Sequence, residues 1–111
     1  GMDYRIKHDV AKIYFSAGAL KQYNALAKEV IETAKNKLIE NPRDINSWYN
    51  PYDLLLTHYE NLGMYKEALS VVDQLQSMLP NDPNVNLLAG KFRRMAGLEK
   101  SETSPQKIEI K

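Results

Sequence analysis

The stretch Tyr49–Asp82, YNPYDLLLTHYENLGMYKEALSVVDQLQSMLPND, decides the fold of this chain. Asn50 followed by Pro51 starts a helix: asparagine caps it, and proline sits at the first helical position, where its missing N–H costs nothing. Gly63 halts that helix, and a second begins near Tyr65, with Tyr65, Ala68, Leu69, Val72, Leu75 and Leu79 on one face until Pro80. Asp82-Pro83 then repeats the cap-plus-proline device and opens another helix, carrying Val85, Leu88, Ala89, Phe92, Met95 and Ala96 as far as Gly97.

The same punctuation recurs upstream. Tyr14-x3-Gly18, Tyr59-x3-Gly63 and Arg93-x3-Gly97 form a faint repeat, and the last two glycines lie 34 residues apart, the period of stacked helix-turn-helix units. The first helix is predicted to bury Ile6, Val10, Ile13, Tyr14 and Ala17 and to end at Gly18. The second runs from about Leu20 to Glu40 with Tyr23, Ala27, Val30, Ile31, Ala34 and Leu38 inward, closed by Asn41-Pro42. No period-two alternation argues for a strand. The expectation is an all-α domain of about five helices over residues 1–98, followed by a polar, flexible tail over 99–111.

Tyr52, Leu55, Tyr59, Gly63, Tyr65, Ala68, Leu75 and Pro80 together resemble one complete tetratricopeptide repeat. Leu56 stands where that family usually has a small residue. On the same register Val10, Ala11, Tyr14 and Gly18 match in a first unit whose second helix is about two turns longer. The third unit supplies Ala89 and Gly90 but places polar Asn86 and Arg93 where apolar packing groups belong, which suits a terminal helix. The resemblance implies a right-handed array of two and a half repeats, serving as a protein–protein interaction or scaffolding module and binding along the concave row of first helices. That row would carry Arg5, His8, Lys12, Asp53, Thr57, Asn84, Lys91 and Arg94. Its basic groups suit a protein or peptide partner with acidic groups. Leu54 and Leu88 occupy places where the family's carboxylate clamp needs polar residues, so the clamp itself is not implied. Trp48 and Tyr49, on the connector, are further contact candidates. Asn41-Pro42-Arg43-Asp44, Trp48–Tyr52 and Leu79–Pro83 are also similar to the soluble C-terminal region of bacterial membrane proteins that resemble protein O-mannosyltransferases. That likeness implies a structural appendage held outside the cytoplasm.

Composition narrows the function classes. Fifteen Lys and Arg against 14 Asp and Glu leave a formal charge of +1, so no global field attracts nucleic acid or an anionic membrane. The absence of cysteine removes thiolate metal sites, disulfides and cysteine nucleophiles. No run reaches the length of a membrane span, and no signal-peptide pattern opens the chain, so the compartment is left open between cytoplasm and periplasm. Gly1 before Met2 reads as a cloning scar, which leaves room for a longer parent protein. His8 and His58 lie in different repeats with no ligand spacing, so both are read as structural rather than metal-binding. Glu29 and Glu32 are flanked by Lys28 and Lys35, the pattern of a salt-bridged solvent face rather than a catalytic carboxylate pair. The serines lack a positioned base, and the glycines form no phosphate loop. No catalytic residue, cofactor site or metal site is therefore assigned. Two and a half repeats are marginal for stability, which predicts a monomer or weak homodimer with Leu87 and Leu98 as the exposed apolar contacts.

Overall fold

A computed structural model describes residues 3–46 and 50–97. Among them are five α-helices and no strand: α1 (Tyr4–Ser16), α2 (Leu20–Glu40), α3 (Pro51–Asn61), α4 (Tyr65–Met78) and α5 (Pro83–Met95). The segment 99–111, Leu98, Trp48 and Tyr49 lie outside the described residues. The chain divides into two compact units, Gly1–Gly63 and Met64–Lys111.

Helix starts follow the capping chemistry in the sequence. Asn50 and Asp82 are extended residues whose side chains accept from the backbone N–H of Asp53 in one case and of Asn84 and Val85 in the other, each with proline next in line. Asp3 caps α1 in the same way, accepting from Arg5 N–H at 2.7 Å. The helix ends alternate between two forms. After α1 and α3 the chain passes through a left-handed glycine, Gly18 at φ +76° and Gly63 at φ +74°, a region that only glycine enters without steric cost. Gly18 N–H reaches Phe15 C=O and Ala19 N–H reaches Tyr14 C=O, which satisfies carbonyls that the helix end would leave bare. The residues that follow, Ala19 and Met64, share one conformation, φ −82° and ψ 70° against φ −90° and ψ 66°. After α2 and α4 the chain instead becomes extended at Asn41 and Leu79 and meets proline.

In the first unit α2 packs against both α1 and α3. Tyr23, Ala27, Val30, Ile31 and Ala34 of α2 are buried, as the periodicity predicts. Its 21 residues against the 14 of α4 reproduce the two-turn extension read from the sequence. The α3 contribution is nearly continuous: Tyr52, Leu54, Leu55, Leu56, His58 and Tyr59 are all buried. Tyr52 reaches across to donate its hydroxyl hydrogen to the Pro42 carbonyl, tying the start of α3 to the end of α2.

Helix α1 departs from expectation. Ile6 and Ile13 are 53% and 67% exposed and Ala17 is also exposed, whereas His8 and Ala11 are buried. The helix therefore turns inward the face defined by Tyr4, His8 and Ala11 rather than the more hydropathic stripe. Ala11 clusters with Tyr23 and Ala27, small side chains allowing close approach, and His8 gains a hydrogen-bond partner that an isoleucine could not use.

In the second unit α4 and α5 pack together. Ala68, Val72 and Leu75 are buried on one helix and Val85, Ala89 and Phe92 on the other, with the same spacing on each. Gln76 Nε2 donates to Asn86 Oδ1 at 3.0 Å across this pair, so the polar Asn86 serves as a clasp. Leu87 is 72% exposed, in keeping with its place off the main stripe.

The glycine roles give a paired prediction. Gly63→Ala forces a side chain into the left-handed region and should cost about 1 to 2 kcal/mol, although open space surrounds the new methyl group. Gly90→Ala, inside α5, meets only the mobile Nη1 end of Arg94 at 3.3 Å and should stabilise by about 0.5 to 1 kcal/mol. Urea denaturation of the two variants beside the parent checks both signs.

Candidate functional site

The residues proposed for a concave row fall into three groups. Lys12 on α1, Asp53 on α3, and Asn84 and Arg94 on α5 are exposed. Arg5 and Lys91 are half-buried, the first with its guanidinium 5.5 Å from the centre of the Tyr4 ring and the second with its ammonium 5.3 Å from that of Phe92. Each thus keeps its cation over an aromatic face. His8 is not on the surface at all, and Thr57 donates its hydroxyl hydrogen to the Asp53 carbonyl one turn back. Asp53 is also half of a local cap, since Asn50 Nδ2 donates to its carboxylate at 3.1 Å while its own N–H donates back to Asn50 Oδ1. Trp48 and Tyr49 lie outside the described residues.

Charged residues read as solvent face behave accordingly. Glu29 accepts from Lys7 Nζ at 2.9 Å, joining α2 to α1, with both side chains partly or largely in water. A pair of this kind contributes at most about 1 kcal/mol. Glu32 is exposed as well.

What sequence reasoning missed is the meeting of the two histidines. His8 of α1 and His58 of α3 are 3% and 0% exposed, and their facing nitrogens, Nδ1 of His8 and Nε2 of His58, stand 2.8 Å apart. The other nitrogen of His58, Nδ1, lies 2.7 Å from the hydroxyl of Tyr23 on α2. The rings meet edge to face, with centroids 4.9 Å apart. One chain of hydrogen bonds thus links all three helices of the first unit. With both rings neutral every link is satisfied: Tyr23 donates to His58, whose Nε2–H donates to His8, or the polarity runs in reverse. A first added proton can be taken by reversing the chain, at the cost of burying a cation. A second sets N–H against N–H between two positive rings.

The electrostatics agree with that account. Burial lowers the pKa of His58 to about 4, helped by His8 and the nearby Lys12 ammonium. Burial also lowers that of His8, with Lys12 adding to the effect and Asp9 opposing it. Burial raises that of the Tyr23 phenol, partly offset by a hydrogen bond from Asn61. A chain of neutral, mutually satisfied groups suits structure rather than proton transfer to a ligand. Among the described residues no group of three His, Cys, Asp or Glu side chains is arranged to hold a metal ion, and no helix is long and apolar enough to cross a membrane.

A shallow depression runs along α1, lined by Asp9, Lys12, Ile13, Ser16 and Ala17. No family model, curated protein or solved structure matches the chain.

The histidine chain fixes a pH dependence. Unfolded, His58 titrates near its ordinary 6.5; folded, near 4, so below 6.5 the unfolded chain binds more protons and stability falls with pH until about 4. The loss should be of order 3 kcal/mol. Chemical denaturation from pH 7.5 to 4 measures it. His58→Leu, weaker throughout because it strands Tyr23 and His8, should lose this component of the slope.

Proposed function

We propose that this chain is a non-catalytic interaction module of tetratricopeptide type, which captures an acidic peptide segment of a protein partner on the polar faces of its first helices. The observation that supports this reading most directly is the alternation of helix ends. Left-handed glycine and a common next-residue conformation close α1 and α3, while an Asx cap with proline opens α3 and α5. Recurrence of the same local structure from one helix pair to the next is how repeat proteins build a surface from equivalent positions.

Lys12 and Arg94 supply the chemistry for an acidic segment. Both are exposed, and each can make charge-assisted hydrogen bonds to a carboxylate. Lys91 and Arg5 add positive potential from half-buried positions. Asp53, held in its cap with Asn50, marks where an acidic ligand is excluded and so sets the direction of the peptide.

An array of acidic peptides, some ending in a carboxylate, tests the proposal directly with the full chain. Capture of acidic over neutral peptides is expected, and Lys12→Glu and Arg94→Glu should each weaken it about tenfold without moving the thermal midpoint. Equal retention of neutral peptides, or capture unchanged in both variants, overturns the assignment.

A further inference from the structure

The apolar stripe that the sequence assigns to the core lies on the outside of α1. Ile6 and Ile13 are 53% and 67% exposed, Ala17 is exposed and Val10 is half-buried. The four are separated by four, three and four residues, the spacing of a two-helix seam in which alternate positions interlock. Behind this seam lies the inward face with His8 and Ala11, so α1 is apolar or buried on two sides.

We propose that this stripe is a self-association surface, on which α1 of a second copy of the chain packs antiparallel. Two properties of the helix favour that occupant. The seam is complementary to its own reverse: a dyad between Val10 and Ile13 sets Val10 opposite the second copy's Ile13 and Ile6 opposite its small Ala17, large against smaller at each layer. The rim is also complementary. Asp9 and Lys12 lie on the same flank of the seam and both line the depression beside it. The same dyad places each Asp9 within reach of the second copy's Lys12, giving two opposite-charge pairs where a rim of one sign would repel itself.

The contact is small. Thirteen residues make a helix about 20 Å long, and one such crossing falls short of the roughly 1,200 Å² buried in stable complexes. The dimer is accordingly weak and concentration-dependent; it rests on the apolar flank of α1 and shares only Lys12 with the peptide-binding proposal.

Sedimentation of the full chain from about 10 µM to 1 mM should show the mass-average rising from one chain toward two. Ile13→Glu, at a position already in water, should weaken association at least tenfold (on the order of the burial of one large side chain) while helical circular dichroism stays unchanged. Asp9→Lys and Lys12→Asp should each fail to self-associate yet associate when mixed, because mixing restores both pairs. The parent has no cysteine, so Val10→Cys and Ile13→Cys chains, mixed under mild oxidation, should cross-link to each other faster than either does to itself. A monomer at every concentration, association indifferent to Ile13→Glu, or no recovery on mixing the charge variants overturns the proposal. So does association that vanishes when residues 99–111 are removed, since the occupant of the stripe is then the tail.

Discussion

The chain of hydrogen bonds from Tyr23 through His58 to His8 sets the geometry of the first unit, because each of its three helices contributes one member. A buried polar group without a partner costs about 1 to 3 kcal/mol, so once any one of the three is inside, the other two must meet it. Hydrophobic contact alone would let α1 roll about its axis with little penalty. The imidazole of His8 removes that freedom, since a small rotation pulls its Nδ1 away from His58. The same requirement keeps the rings neutral, which is why burial and hydrogen bonding act together on their titration.

The rotation of α1 has a cost that appears on the opposite face. With Tyr4, His8 and Ala11 turned inward, Ile6 and Ile13 have nowhere to go but outward. One internal constraint therefore produces one external feature. The exposed seam follows from how the core is satisfied. The second unit has no comparable conflict: Val85, Ala89 and Phe92 of α5 follow the sequence stripe, and the polar contact between Gln76 and Asn86 lies at the edge, where it constrains the pair without burial.

The degree to which the sequence revealed this structure varies by helix for physical reasons. α2, α4 and α5 each have a single apolar face, and capping residues, prolines and left-handed glycines act locally, so their extents and buried sides could be read directly. α1 offers two candidate faces, and hydropathy ranks isoleucine above histidine. What reverses the order is a partner 50 residues away, and no local pattern reports it. The repeat register carried no signal for the pair: with Tyr14 matched to Tyr59, His8 falls on Asp53 and His58 on Ile13, and the two histidines have no metal-ligand spacing. The proposed polar row was readable in part. Lys12 and Arg94 are exposed, whereas His8 belongs to the core, and Asp53 is also engaged in a cap whose sequence, Asn50-Pro51-Tyr52-Asp53, already contained the reason.

Helix α1 consequently has three duties on thirteen residues: a polar anchor inward, an apolar seam outward, and a charged edge between them. Lys12 stands on that edge and belongs to both proposed contacts. A carboxylate held by Lys12 competes with the Asp9 that would approach from a second copy, so peptide capture and self-association oppose one another through one ammonium group. Linkage makes the opposition mutual: whatever factor a bound peptide takes from dimer affinity, the dimer takes from peptide affinity. Because the seam is small and its association weak, the balance lies within reach of a modest ligand. The edge of α1 therefore offers a simple route by which occupancy of one face reports on the other without any change in the fold.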